Sequence, residues 1–351
     1  MTRLDKLLTI LPDNVDALIV TNPKNQRYLT GFDFQDGIVL VTRKQSYLIT
    51  DFRYIEAAKK ETRPEFTVTV FEDNRSDFLM SLLDGQTSVG YEDASITVEE
   101  LSSYQTLLPE CRFFSVGRLI ESLRIIKEPC EIESMIKAQR IAEKAFEHIL
   151  TFITPDRTEK EVALELEFTM RRLGATATSF DTIAVSGKKS AMPHGVPGDV
   201  KLSHGFFTLD FGALVDGYCS DMTRTIVIGK ADDEMKRVYN TVLAAQNSAL
   251  AAFDFGKTGY EIDKVARDLI YEAGYEGCFG HGLGHGVGMD IHEAPRVRYD
   301  CHTPLARGHV VTCEPGIYIE GKYGVRIEDM VVFRENSVEN ITKCPKNLIE
   351  L

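Results

Sequence analysis

Thr208-Leu209-Asp210-Phe211-Gly212-Ala213-Leu214-Val215-Asp216-Gly217-Tyr218-Cys219-Ser220-Asp221-Met222-Thr223 reads as two apolar strands joined by a tight turn. Asp216-Gly217 is a two-residue hairpin signal, since both residue types tolerate the positive φ that such turns require. Turning there sets residue 212 opposite 221 and residue 210 opposite 223. Asp210 and Asp221 then share one face of the sheet as diagonal neighbours, about 7–8 Å apart at the backbone. Two carboxylates aimed at one spot from apolar strands repel each other and lose hydration. Either solvent surrounds them or a cation lies between them.

Outward from the hairpin, Gly280-His281-Gly282-Leu283-Gly284-His285-Gly286-Val287-Gly288 places glycine at every second position, and Asp290-Ile291-His292-Glu293 follows. The spacing fails the dinucleotide fingerprint and lacks the GK[ST] ending of a phosphate loop. Glycines in this pattern let backbone crowd against a site while imidazoles project from it. Further on, Cys313-Glu314-Pro315-Gly316-Ile317-Tyr318 and Val325-Arg326-Ile327-Glu328-Asp329 each set a carboxylate within an apolar strand pattern. An ionised Glu there needs a partner, which a salt bridge or a metal ion supplies equally well. Pro315-Gly316 interrupts the alternation, so the pattern does not establish that Glu314 and Glu328 share a face.

Asp210, Asp221, His285, Glu314 and Glu328 together have a simple electrostatic logic. Four carboxylates carry a charge that two divalent cations neutralise, and a neutral imidazole adds a fifth donor. Carboxylate-rich sites with one His favour Mn²⁺, Co²⁺, Fe²⁺ or Zn²⁺. Two such ions can clamp both the attacking oxygen and a substrate carbonyl.

The chain of 351 residues is long enough for two domains, and 43% hydrophobic with 26% charged residues is ordinary for a globular enzyme. A net charge of −13 argues against nucleic-acid or anionic-membrane surfaces, which need a basic footprint. No apolar run is long enough to span a bilayer, and the N-terminus has no signal-peptide core. The seven cysteines (111, 130, 219, 278, 301, 313 and 344) form no CxxC pair, and reduced thiols in the cytoplasm are expected. No repeat is visible along the chain.

Residues 1–124 alternate strand-like and helix-like stretches, the pattern of a layered α/β domain with almost no His or clustered acid. Strands are expected at 16–20, 38–42, 47–50, 66–71 and 87–91. A change of pattern at 118–128 leads into a second domain, 125–351, with helices over 128–152, 159–172, 233–253 and 260–273. There the stretches 178–228 and 309–334 read as strands, so the expected class is α+β with a mostly antiparallel sheet.

At these residues the chain resembles the "pita-bread" metallopeptidases: methionine aminopeptidase, aminopeptidase P and prolidase. The signatures LDFGA, SDMTRT, GHGLGHGVG, EPGIY and VRIED stand intact, and the Asp, Asp, His, Glu, Glu order matches that family's dinuclear ligand set. Residues 1–124 are similar to the creatinase-type domain of the proline-specific members. The resemblance implies a pita-bread fold for 125–351 and two divalent ions, Mn²⁺ foremost, held by Asp210, Asp221, His285, Glu314 and Glu328. It also implies a substrate-side role for His194 and places His281 and His292 near the scissile carbonyl and leaving group. Glu314 would shuttle a proton, and Arg326 would serve substrate binding or support the ligands from outside.

By the same resemblance, the activity is hydrolysis of Xaa-Pro bonds in proline-containing di- or oligopeptides by a cytoplasmic homodimer. Arg296, four residues after His292, stands where short prolidases carry the arginine that binds the C-terminal carboxylate of proline, and Arg298 competes for that role. Dipeptidase activity is therefore expected ahead of aminopeptidase P, which acts on longer Xaa-Pro peptides. Creatinase shares the fold without the full ligand set, and a non-enzymatic binding protein would not need all five ligands.

Overall fold

Six strands form the sheet of the N-terminal unit, in the order Phe66–Val70, Ser46–Thr50, Ile38–Thr42, Ala17–Val20, Ser88–Tyr91, Arg112–Ser115. The computed structural model describes residues 1–351, in two compact units, Met1–Arg124 and Ile125–Leu351. Ala17–Val20 is buried throughout, pairing antiparallel with Ile38–Thr42 and parallel with Ser88–Tyr91. Ile19, Leu40, Phe78, Leu79 and Leu83 build the core beside it. The helix Pro23–Thr30 was not legible from periodicity. Its signals are its ends: Asn22 accepts from the N–H groups of Lys24 and Asn25, Pro23 occupies the first turn, and Gly31 closes it at φ 80°. No histidine falls in this unit.

Two helix pairs frame the second unit, Pro129–Phe152 with Glu159–Arg172 and Asp233–Ala252 with Gly259–Glu272. The pairs share one local design. Thr158 and Thr258 each cap their helix in a capping box, with Glu161 and Glu261 returning the bond. Each cap then bridges a later segment, Thr158 to Lys201 and Thr258 to Pro304. The Leu202 N–H donates to the Arg157 carbonyl as that of Leu305 donates to Lys257. The unit therefore does contain a structural repeat, contrary to the expectation from sequence. It is carried by backbone pairing, with few side chains in common.

Strand pairing between named strands here is antiparallel throughout. The stretch 178–228 is not continuous strand: the 3₁₀ turn Gly187–Ala191 and a loop precede Gly205–Phe211. Pro193, Pro197 and Gly198 lie in that loop, where proline offers no N–H to a ladder. Gly205–Phe211 pairs with Met222–Ile228, setting Asp210 against Thr223, and the hairpin closes through Val215 against Tyr218. Asp216 and Gly217 take φ values of 52° and 82°, as a type I′ turn requires. Phe207, Leu209 and Phe211 pack with Phe146 and Leu166 in one core, while Val238, Val242, Ile270 and Val331 share another.

Gly212 is fixed by sterics. A Cβ there would lie 1.9 Å from the Ser220 carbonyl oxygen and 2.8 Å from Ser179 Oγ. Gly212→Ala must push the hairpin apart between Asp210 and Asp221, so it should cost about 1–3 kcal/mol of stability, read as a lower urea midpoint. An unchanged midpoint would show that the hairpin relaxes freely there.

No helix is long and apolar enough to cross a membrane. All seven cysteines are free; Cys219 and Cys313, beside two of the expected ligands, are buried at 3% and 0% exposure, beyond reach of bulky thiol reagents in the folded state.

Candidate metal centre and its cleft

Sheet register gathers the five expected ligands. Asp210 lies on Gly205–Phe211 and Asp221 just before Met222, as the hairpin dictates. His285 is the middle residue of the short strand Gly284–Gly286. Glu314 and Glu328 flank an interruption in one long antiparallel pairing. Cys313 faces Asp329 on one side of it and Gly316 faces Arg326 on the other, so the unbroken register sets Glu314 and Glu328 opposite each other. Pro315 removes an N–H from the ladder without shifting it.

One donor atom each from Asp221, His285 and Glu328 lie within 4.8 Å of one another, all buried. His285 Nε2 is 3.6 Å from Asp221 Oδ2 and 3.3 Å from Glu314 Oε1. Its Nδ1 is 3.1 Å from the Gly286 carbonyl, to which it donates, so in the neutral ring Nε2 presents a lone pair toward those carboxylates. Asp210 Oδ1 and Glu328 Oε1 are buried with no hydrogen-bond partner. Asp210, Asp221 and Glu328 all hold their protons more tightly than usual. Burial is the main cause in each. Neighbouring carboxylates add to it for Asp221 and Glu328, while Arg326 opposes it at Asp210. Glu314 goes the other way. Burial works against its ionisation, but with His285 protonated the hydrogen bond and charge of that ring outweigh it and bring Glu314 to about 2; beside the neutral ring a bound cation supplies that positive charge instead.

Orphaned acceptors, opposed lone pairs and excess buried negative charge share one remedy, positive charge at this spot. The donor set of carboxylates and one imidazole Nε2 thus fits divalent cations, with Asp221, His285 and Glu328 closest together and Asp210 and Glu314 beside them.

A second layer holds these groups in place. Thr223 Oγ1 donates to Glu328 Oε2 at 2.6 Å and accepts from Arg326 Nε at 3.0 Å. Arg326 Nη2 donates to Asp210 Oδ2 at 2.6 Å, and its Nη1 donates to Tyr318 Oη at 2.8 Å. Tyr318 Oη lies 3.0 Å from His281 Nε2, and His281 Nδ1 donates to the Gly282 carbonyl at 2.8 Å. Burial lowers the His281 pKa, which favours the neutral ring, and its Nε2 accepts a hydrogen bond from the Tyr318 hydroxyl. Thr312 Oγ1 accepts from the His285 N–H and donates to Glu314 Oε1 at 3.2 Å. Arg326, 4% exposed, donates to Asp210, Thr223 and Tyr318 and so orients a member of the cluster, while it also lines the cleft. Thr223, Thr312 and Tyr318 were not singled out from sequence. Thr223 and Tyr318 lie inside SDMTRT and EPGIY, but hydroxyl side chains in strands announce nothing until their partners are known.

The ligands open onto a cavity of about 850 Å³ whose wall includes His194, His292, Arg296 and Arg298. The His292 ring stands edge-on to His285 with centroids 4.3 Å apart. Burial, then the charges of His285 and Arg296, push its pKa down to about 4, so it is neutral at physiological pH. His194 is exposed on the loop after the 3₁₀ turn. Arg296 pairs across the sheet with His285, which puts both side chains on one face. Arg298 is engaged elsewhere, 2.5 Å from Asp300 Oδ1 and 3.1 Å from Tyr299 Oη, whereas the Arg296 guanidinium has no such partner.

Residues 133–335 match "Metallopeptidase family M24", and residues 3–126 match "Creatinase/Prolidase N-terminal domain". The chain is similar to a solved Xaa-Pro dipeptidase from Bacillus anthracis (42% identity, TM-score 0.95, 99% of each chain covered). It is also similar to a solved X-Pro aminopeptidase from Thermotoga maritima (35% identity, TM-score 0.93, covering 99% of this chain and 100% of that one). A curated Xaa-Pro dipeptidase from Pyrococcus furiosus is 37% identical over 350 residues, 99% of each sequence. With the ligand cluster already in place, these matches assign the chain: it belongs to metallopeptidase family M24, with a creatinase/prolidase-type domain at its N-terminus.

Proposed function

We propose that this protein hydrolyses the Xaa-Pro peptide bond and prefers Xaa-Pro dipeptides. The observation that carries the preference is Arg296, an exposed guanidinium without an ion-pair partner on the cleft wall, directly across the strands from His285. A dipeptidase must reward the free carboxylate of a C-terminal proline, and a guanidinium does this bidentately. Names borne by full-length relatives support the reading, since dipeptidases stand among them at 37–42% identity.

Asp210, Asp221, His285, Glu314 and Glu328 would hold two divalent ions, for which Mn²⁺ is our assignment from the oxygen-rich donor set. Bound there, the ions supply Lewis acidity toward the scissile carbonyl and lower the pKa of the attacking water. Arg326 and Thr223 keep the carboxylates of Asp210 and Glu328 turned toward their task. Glu314, ionised, accepts a proton at its carboxylate and returns it to the proline nitrogen, an imide nitrogen that leaves only when protonated. His292 and His194, donors on the cleft wall, stabilise the developing oxyanion and the departing group. Seven free thiols support a reducing compartment, hence the cytoplasm.

Arg296→Ala tests the reading. It should raise KM for Xaa-Pro at least about tenfold, the scale of one lost charge-assisted bond pair, and leave KM for Xaa-Pro-Yaa nearly unchanged. Equal effects on both substrates, or a wild-type preference for the tripeptide, would make the enzyme an aminopeptidase P. No hydrolysis of either by the metal-loaded enzyme would end the proposal.

A further inference from the structure

Glu159 is a carboxylate with no exposure at all, far in sequence from every ligand, yet it gathers four donors. Its Oε1 accepts from the Ser186 N–H at 2.7 Å and from Ser186 Oγ at 3.2 Å. Its Oε2 accepts from Lys189 Nζ at 2.7 Å and from the Gly198 N–H at 3.1 Å. Ser186 and Gly198 are the two ends of the segment that carries His194. The backbone adds to the clasp: the Glu159 N–H donates to the Val200 carbonyl and the Lys160 N–H to that of Gly198, both at 3.1 Å. Between these ties the Gly324 N–H donates to Ser190 Oγ at 2.9 Å, and past Ser190 the contact is weaker, with Arg326 Nη1 3.5 Å from the Pro193 carbonyl. Met192 and Val196, on either side of His194, are 60% and 75% exposed. The position of His194 at the cleft is therefore set by Ser190 on one side and by the Glu159 ties at Ser186, Lys189 and Gly198.

The other half of the structural repeat has a counterpart. Asp263, equally buried, accepts from the Leu283 N–H at 2.9 Å and pairs with Arg267, whose Nη1 and Nη2 donate to the carbonyls of Phe279 and His281. Glu159 opens the second helix of its pair and Asp263 lies in the second turn of the other, at different positions of the repeat, yet both hold a loop bearing a cleft histidine.

We infer that Glu159 is a positioning residue for the reaction: its buried carboxylate clasps the Ser186–Gly198 loop and thereby places His194 against the substrate. This rests on the peptidase reading, but the loop itself can be read without substrate. A charge buried among four donors is costly to replace. Gln at this position turns an NH₂ group toward donors and leaves Lys189 unpaired.

The test is a double-mutant cycle in the metal-loaded enzyme with an Xaa-Pro dipeptide. Glu159→Gln should lower kcat/KM about 10- to 100-fold, the cost of misplacing a contact by about 1 Å, with metal content unchanged. In a His194→Ala background the same change should have less than about a twofold effect, because the clasp then has nothing to place. Multiplying losses would overturn the proposal, since they would mean that Glu159 acts by another route. Two further measurements use no substrate. Trypsin cleavage after Lys188 or Lys189 should accelerate in Glu159→Gln, and the His194 ring resonance in histidine-labelled enzyme should shift; neither changing would also overturn it. If the wild-type enzyme cleaves no Xaa-Pro bond, the functional reading fails while these two measurements still decide the clasp. Should Glu159→Gln not fold, Lys189→Met keeps the carboxylate and its backbone donors, and must show the same effects in weaker form; wild-type behaviour in that variant would refute the proposal.

Discussion

Asp221→Asn and Glu328→Gln should each lower turnover by more than about 10²-fold, the scale of several kcal/mol of lost Lewis-acid stabilisation, by reducing metal occupancy. Each removes a negative charge from a buried cluster whose ligand atoms lie within 4.8 Å of His285 or of each other. The sign of the stability effect is opposite with and without metal. In the metal-free protein, burial and neighbouring carboxylates raise the pKa of both groups, so each ionised side chain disfavours folding near neutral pH. The neutral amide removes that cost, and the metal-free variants should melt no lower than metal-free wild type. Added Mn²⁺ should raise the melting temperature of wild type by mass action and leave the variants almost unmoved. Elemental analysis alongside melting curves checks both halves. Near-normal metal content with near-normal turnover in either variant would remove that residue from the ligand set.

His292→Ala separates the metal site from the groups around it. His292 touches His285 edge-on but contributes no atom to the buried cluster, so metal content should stay at the wild-type level. Turnover should fall about 10²–10³-fold, as when a positioned donor to a developing oxyanion is lost. With its pKa near 4, His292 stays neutral across the working range, so its loss should not move the acid limb of the rate profile above pH 5. Loss of metal in this variant would make His292 a ligand, and an unchanged rate would leave it without a part in the reaction.

Most of this site lies in stretches whose local chemistry is readable from the chain. Asp216-Gly217 dictates its own turn, and the register of 210 against 223 follows from a two-residue connection and the two-residue period of a strand. That alone brings Asp210 and Asp221 to one face. The alternation of glycine with His281 and His285, and the carboxylates set in apolar strands, mark the remaining donors, because an ionised group in such surroundings needs a counter-charge. Helix limits were equally legible where apolar spacing was strong, as in Pro129–Phe152 and Glu159–Arg172. They were missed where the caps rather than the spacing define the element, as in Pro23–Thr30.

What the chain could not state by itself is which distant segments meet. Pro315 hides the register of Glu314 against Glu328, and only the pairing on both sides of it sets them opposite each other. Arg326 stands two residues before Glu328, yet its commitment to Asp210 depends on a hairpin more than a hundred residues earlier. Arg296 and Arg298 are indistinguishable in sequence; Asp300 takes one, and cross-strand pairing with His285 turns the other to the cleft. Glu159 is a plain helix-start residue until Ser186, Lys189 and Gly198 fold onto it. The sequence determined the donor types and the local turns, which depend on neighbours in the chain. The tertiary structure decided the partners, because hydrogen bonds and burial depend on neighbours in space.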